Sequence, residues 1–171
     1  MHALHLHEAL DGLRQHRVAW DITESHLEAR CITSRGISEP IPDAILTRPA
    51  TRPAVRDMRI VCDSFPWEVL IRIPKSEDDK VITVGLVLEA IHGVMREKLD
   101  VEDWERMSNT LKRKVHAEMC TRLSMEEPSM EATVRVLKID SLLGRTEFMG
   151  MECIDSGEDM TCLLSLGPPV K

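Results

Sequence analysis

Residues 59–99 read RIVCDSFPWEVLIRIPKSEDDKVITVGLVLEAIHGVMREKL and carry the most regular apolar spacing in the chain. Up to residue 73 apolar and polar residues alternate, which is the period of half-buried strands. Pro66 interrupts this alternation and removes a ladder donor, so the pattern predicts one bent edge strand or two strands joined at a corner. From residue 84 to 99 apolar residues recur every three or four positions, which predicts a helix capped by Thr83.

The region that follows predicts more helix and then a strand pair. Asp100 can cap a second helix that runs to residue 123, although Ser108, Asn109 and Thr110 weaken its middle and leave two shorter helices as the alternative. Residues 134–140 are strand-like. Residues 147–154 and 160–166, separated by turn residues, predict an antiparallel hairpin.

The region that precedes residue 59 is less regular. Residues 1–16 place leucines at helical spacing, which predicts a short N-terminal helix or a half-ordered tail. Residues 18–22 predict a brief strand centred on Trp20. Residues 34–57 contain four prolines, which predict an extended connector that wraps the surface or carries function.

These elements together predict an α+β protein. We expect a single domain over residues 17–167, with a mostly antiparallel sheet of about five strands and two or three helices packed on one face. The chain has 171 residues, enough for one core. Tyrosine is absent whereas methionine occurs 10 times, so we expect a plastic interior or an apolar, Met-rich binding surface.

Composition also excludes classes of function and location. A net charge of −7 disfavours nucleic acid, whose phosphates are bound by cationic surfaces. Five scattered cysteines form no disulfide framework and no thiolate zinc motif, which indicates free thiols in a reducing compartment. There is no secretory signal pattern and no apolar run of membrane-spanning length. We therefore predict a cytoplasmic protein without a membrane partner.

Few residues carry recognisable chemistry. His2, His5 and His7 are dense, but neither helical nor strand geometry turns all three to one side, and we predict neither a metal nor any other cofactor. The nucleophile candidates are Cys62 beside Asp63 and Ser141 near Asp140, and Cys62 falls on a strand face where a thiol is more often inert packing. Asp63, His92 and Arg145 are the catalytic candidates.

Two further features suggest binding. Arg48, Arg52, Arg56 and Arg59 recur every three or four residues beside prolines, and their guanidinium groups match carboxylates and phosphates; solvation or pairing with acidic residues is the alternative. Phe65 and Trp67 flank the proline break and predict either a core corner or a pocket wall. The ligand-binding candidates are Phe65, Trp67, Arg52 and Arg145.

Several short phrases, taken in order, resemble a known family. They are PATRPAV at 49–55, FPW at 65–67, VITV at 81–84, VLEAIH at 87–92, Trp104 and LGRTEFMG at 143–150. Together they resemble a domain of unknown function that is abundant in mushroom-forming fungi, across residues 18–166. The resemblance implies one intracellular α+β domain and no established activity, cofactor or catalytic residue.

Two functional hypotheses follow. The first is an intracellular binding module that engages a protein or a small ligand through a Met-rich apolar surface, a pocket or the proline-arginine connector. The alternative is a small metal-independent enzyme, an isomerase, cyclase or hydrolase, with a pocket between sheet and helices lined by Asp63, Trp67, His92 and Arg145. A zinc or iron protein is a third possibility. An unpaired edge strand or an exposed Met-rich patch would favour a homodimer.

Overall fold

The structure, a computed structural model, describes residues 4–12, 18–33, 35–77, 79–124, 136–156 and 160–168. Short strands and turns occupy its first third, and the longer strands and helices follow. In chain order the elements are β1 (His5–Leu6), β2 (Val18–Ala19), a 3-10 helix (His26–Glu28), β3 (Arg30–Ile32), β4 (Ser38–Pro40), α1 (Asp43–Leu46), β5 (Thr51–Arg52), β6 (Asp57–Cys62), β7 (Phe65–Arg72), α2 (Val84–Met95), α3 (Val101–Arg106), α4 (Asn109–Leu123), a second 3-10 helix (Lys138–Leu142), β8 (Glu147–Ser156) and β9 (Met160–Gly167).

The strands form three sheets. The four-stranded sheet has the order β7-β6-β9-β8, a three-stranded sheet has β2-β3-β4, and β1 pairs with β5. In the four-stranded sheet β6 is antiparallel to β7 and β9 to β8, whereas β6 and β9 are parallel. The mixture of helices and sheets is confirmed. The prediction of one sheet of about five strands is corrected, because the described residues hold nine strands, and those of two or three residues are too short to show a period.

The 59–99 stretch folds largely as its pattern predicts. β6 and β7 form an antiparallel hairpin, and β7, which contains Pro66, is the outermost strand of its sheet, where a missing N–H donor costs little. Thr83 caps α2, and its hydroxyl oxygen accepts a hydrogen bond from the Leu86 N–H at 3.3 Å. The helix ends at Met95, earlier than predicted.

The second helical region divides at Ser108, so two helices replace the single long one. Asp100 caps α3 by accepting from the Glu102 N–H at 2.9 Å, and Ser108 caps α4 by accepting from the Leu111 N–H at 3.2 Å. The alternative of two shorter helices is therefore confirmed. None of the described helices combines the length and apolar character that crossing a bilayer requires.

The predicted N-terminal helix is wrong for residues 4–12. β1 pairs with β5, turns follow, and Leu10 is fully buried in the main core. Backbone hydrogen bonds to β8 replace helical ones: the Met151 N–H donates to Leu10 O at 2.7 Å, and the Gly12 N–H donates to Met151 O at 3.3 Å. Tertiary pairing has therefore overridden local periodicity. Residues 1–3 and 13–16 lie outside the described part of the chain.

Two other expectations are corrected. The predicted extended connector contains a short helix, α1, which begins directly after Pro42, a position where proline costs no hydrogen bond. In the predicted strand at 134–140, residues 134 and 135 are outside the described ranges, and Lys138–Leu142 is a 3-10 helix. Asp140 stabilises that helix because its carboxylate accepts from the Leu137 N–H at 2.8 Å.

The N-terminal segment covers the β8 edge of the four-stranded sheet. The Phe148 N–H donates to Trp20 O at 2.8 Å, on the same strand that pairs with Leu10 and Gly12. Gly12 and Gly150 approach so closely that a Cβ on Gly150 would overlap the Gly12 Cα. The edge is thereby protected from pairing with another chain.

The described methionines mainly fill the interior. Met119 belongs to a small cluster around α4, whereas Met149 is partly exposed at 37%. A Met-rich surface is not formed by these residues. Those in the main core are Met58, Met95, Met151 and Met160.

Candidate functional site

Two histidines meet beside an aromatic cluster. His92 of α2 and His26 of the first 3-10 helix have ring centroids 5.4 Å apart. The centroid of the Trp20 ring lies 6.4 Å from that of His92 and 6.2 Å from that of Phe148. His26 Nδ1 and His92 Nε2 are buried without a hydrogen-bond partner among the described atoms. The pair joins the N-terminal third of the chain to α2.

The environment of His92 favours its neutral form. Burial lowers the pKa of His92, and the nearby charges of Arg96 and His26 lower it further. Arg96 is fixed there because its guanidinium donates to Thr23 O at 2.5 Å. A proton on His92 would therefore be both desolvated and repelled.

Stability is expected to fall on mild acidification because of this histidine. The pKa of His92 in the folded protein lies below the ordinary histidine value of about 6.5, so the unfolded chain binds the proton first. The stabilisation is present above pH 6.5 and is lost as the pH falls from there through the folded pKa. In urea titrations between about pH 7.5 and 5.5, His92→Gln should lose less stability than the wild type.

The matched control for this pH dependence is His116→Gln on α4, which should retain the wild-type slope. His7, whose pKa burial also lowers, contributes in the same direction, so some slope should persist in the His92 variant. Identical slopes for His92→Gln and wild type would contradict the assignment.

The aromatic pair at the proline break packs in a different place. Phe65 is buried, and its ring stacks on Trp67 with centroids 5.2 Å apart and an interplanar angle of 10°. Lys138 Nζ lies 5.6 Å from the centre of the Trp67 ring, and it also pairs with Glu97 at 2.6 Å. A cation over an indole face is attracted by the ring quadrupole. Trp67 therefore anchors the second 3-10 helix to β7.

The catalytic candidates are not gathered by the described contacts. Asp63 is exposed in the turn between β6 and β7, and Arg145 donates to Leu166 O at 3.1 Å. Both act electrostatically on Cys62 rather than on His92. Burial raises the pKa of the Cys62 thiol, outweighing the hydrogen bond that the Ser64 N–H donates to its sulfur. Cys62 is thus protonated and poorly suited to act as a nucleophile.

A groove runs along the β1–β5 pair, and we call it the β1–β5 groove. Its volume is about 650 Å³, in the range of small-ligand sites. His5 lies directly opposite Arg52 in the strand register, so the two sequence features, N-terminal histidines and connector arginines, meet here. The lining residues are His5, Leu6, His7, Glu8, Arg48, Pro49, Thr51 and Arg52.

Backbone hydrogen bonds fix the floor of this groove. Ala50, fully buried, donates its N–H to Ile82 O at 2.8 Å and accepts from the His7 N–H at 2.8 Å. The Val84 N–H donates to Arg48 O at 3.0 Å, which ties the groove to the start of α2. The groove is therefore built on ordered backbone.

The arginines of the connector have separate roles. Arg56 donates to Pro74 O at 2.6 Å and to Glu77 O at 3.0 Å, and Arg59 pairs with Glu68 at 3.5 Å. In contrast, Arg48 and Arg52 are exposed and have no ion-pair partner within the described ranges. Two guanidinium groups are thus available in the groove.

Another groove lies at the start of α2. It is open, with a volume of about 600 Å³, and its wall includes Glu77, Asp79, Lys80 and Glu89. Neither groove includes Asp63, Trp67, His92 or Arg145. Within the described ranges, no three His, Cys, Asp or Glu side chains are grouped to hold a metal ion.

The fold and the site define a mixed helix-and-sheet domain with a cationic groove at a short strand pair. The chain belongs to a family of unknown function (DUF6699), whose model matches residues 18–160. No curated protein and no solved structure matches the chain. The resemblance noted in the sequence is thereby confirmed at the level of the family.

Two of these arrangements have no signal in the sequence. His26 has no periodic or motif signal that would connect it to His92, because the two lie on separate elements. The spacing of His5 and His7 raises only the question of metal binding, because their position beside Arg48 and Arg52 depends on the β1–β5 pairing. Two short strands of this kind carry no detectable alternation.

Proposed function

We propose that the protein is a non-catalytic binding module whose β1–β5 groove takes a small anion bearing a carboxylate or a phosphate. The observation that carries the proposal is the pair Arg48 and Arg52, which line one groove without an ion-pair partner among the described residues. A guanidinium fork matches either oxyanion with two parallel hydrogen bonds.

His7 adds a neutral donor to these cations. His7 Nδ1 accepts a hydrogen bond from the Ala9 N–H at 3.2 Å, so in the neutral ring Nε2 carries the proton and can donate. Burial lowers the pKa of His7, and Arg48 lowers it further against the opposing effect of Glu8. With one carboxylate against two guanidinium groups, the groove keeps a net positive charge.

The charge of the whole chain favours a small ligand over a polyanion. A net charge of −7 repels a long phosphate backbone, whereas a single anion feels mainly the local cations. We infer an intracellular setting because all five cysteines are free thiols. A homodimer stays a prediction; β7 would be its edge, since it is outermost and exposes 65% of Leu70.

The enzyme alternative has weaker support than the binding module. Its four pocket residues lie in different surroundings: Trp67 under Lys138, His92 beside Trp20, and Asp63 and Arg145 near Cys62. General acid and base work needs groups within reach of one reacting atom. The described contacts give no support for one pocket lined by these four residues.

The test is titration calorimetry of the full chain with inorganic phosphate and with citrate, a tricarboxylate, at constant ionic strength. We expect saturable binding of at least one probe. Arg48→Gln and Arg52→Gln should each weaken it by about tenfold or more, since a hydrogen bond to a charged group contributes about 1.5–3 kcal/mol.

Arg113→Gln removes the same charge from the exposed side of α4 and serves as the control. It should leave the binding constant within about twofold of wild type, because distant surface charges are screened. Absence of saturable binding to either probe, or equal weakening by all three substitutions, would contradict the proposal.

A further inference from the structure

Two cysteines lie directly opposite each other in the β8–β9 hairpin. The strand register pairs Cys153 with Cys162, next to the pairs Met151–Leu164 and Phe148–Leu166 on the core side. Opposite residues of antiparallel strands have Cα atoms about 4.5–5.5 Å apart, which is inside the range of disulfides. The two side chains are close enough for each thiol to affect the pKa of the other.

The two thiols differ in access. Cys162 is fully buried, whereas Cys153 is partly exposed at the rim of the core. Burial raises the pKa of both thiols, so at neutral pH each is protonated and reacts slowly. Because Cys153 is partly exposed, an oxidant from solvent can reach it. Cys162 lies opposite and can react with an oxidised Cys153.

We propose that Cys153 and Cys162 are a redox-modification site at which an oxidised low-molecular-weight disulfide, such as glutathione disulfide, forms a cross-strand bond between β8 and β9. The Cys153 thiolate attacks one sulfur of the oxidant, forming a mixed disulfide and releasing one thiol. Cys162 then attacks Cys153 Sγ, and the second thiol leaves. Together the two protein thiols lose two electrons and two protons, and the two released thiols gain these electrons and protons. This inference is independent of the anion groove.

The pair differs from the other thiols of the chain. Cys31 pairs with Val18 and Glu39 in its sheet, Cys62 pairs with Phe65, and Cys120 lies on α4. None of these three has a cysteine opposite it in the described registers. Exchange at them should therefore stop at a mixed disulfide, whereas Cys153 and Cys162 should go on to an internal bond.

The experiment is incubation of the folded full chain with glutathione disulfide, followed by alkylation and peptide mapping by mass spectrometry. We expect a peptide pair joined through Cys153 and Cys162, with no lasting adduct on either. The rate should rise about tenfold per pH unit in the neutral range, since the thiolate is the reacting species. A lasting adduct on wild-type Cys153 beside a free Cys162, or a different pairing, would overturn the proposal.

Single variants separate the two roles. Cys162→Ala should retain a stable glutathione adduct on Cys153, because no second thiol resolves it. Cys153→Ala should leave Cys162 unmodified under the same conditions, because it is buried. Thermal unfolding of both variants checks that they fold, and rapid modification of Cys162 in a folded Cys153→Ala variant would contradict the order of attack.

Discussion

Arg122→Ala is expected to lower the free energy of unfolding by about 3 kcal/mol, because it leaves the Asp140 carboxylate buried without its counter-ion. The Asp140 side chain is 2% exposed. Arg122 donates to it from Nε at 2.7 Å and from a terminal nitrogen at 2.8 Å. This pair joins α4 to the second 3-10 helix. Urea unfolding followed by circular dichroism measures the loss.

Two comparisons make the Arg122 result specific. Arg106→Ala removes an exposed arginine that pairs with Glu102 at 3.3 Å, and it should cost less than about 1 kcal/mol. Arg122→Lys keeps the charge but cannot form the two-pronged contact, so its stability should lie between wild type and Arg122→Ala. The assignment fails if Arg122→Ala costs no more than Arg106→Ala.

Gly150→Ala is expected to lower the free energy of unfolding by about 3–5 kcal/mol, at least as much as Arg122→Ala. Backbone strain and steric overlap both contribute to this loss. Gly150 has φ +105, a conformation that side chains strongly disfavour. Its new Cβ would meet the Gly12 nitrogen at 2.5 Å as well as the Gly12 Cα. Relief would require the N-terminal segment to leave β8. Thermal unfolding of the variant gives the size of the effect.

Gly93→Ala is the matched control. It makes the same substitution, but we expect it to raise the free energy of unfolding. Gly93 is exposed in α2, and nothing lies within 4 Å of a Cβ placed there. Alanine should stabilise that helix by about 0.5–1 kcal/mol. A Gly150→Ala protein as stable as the wild type would show that the close approach of Gly12 does not hold the segment.

Local signals account for what the sequence predicted well. The caps at Thr83 and Asp100 depend on neighbours within a turn, and the β6–β7 alternation needs only its own residues. The helix break at Ser108 follows from the competition of short polar side chains for backbone groups. Such features are visible without knowledge of the rest of the fold.

Long-range pairing accounts for the features that the sequence did not predict. Leu6 and Leu10 have helical spacing, yet β5 and β8 offer backbone partners that no window around them contains. The spacing of Arg48 and Arg52 predicts potential anion ligands, but their position beside His5 and His7 depends on that same pairing. The contact of His26 with His92 has no counterpart in spacing at all.

The parallel neighbour of β6 has a consequence for how the chain folds as it is made. β9, which separates β6 from β8, is synthesised after every other described strand and helix. Until β9 leaves the ribosome, the β6–β7 hairpin presents the open hydrogen-bonding edge of β6, with which β9 later pairs. Contacts so distant in sequence form slowly, so the nascent chain passes through a stage exposed to aggregation.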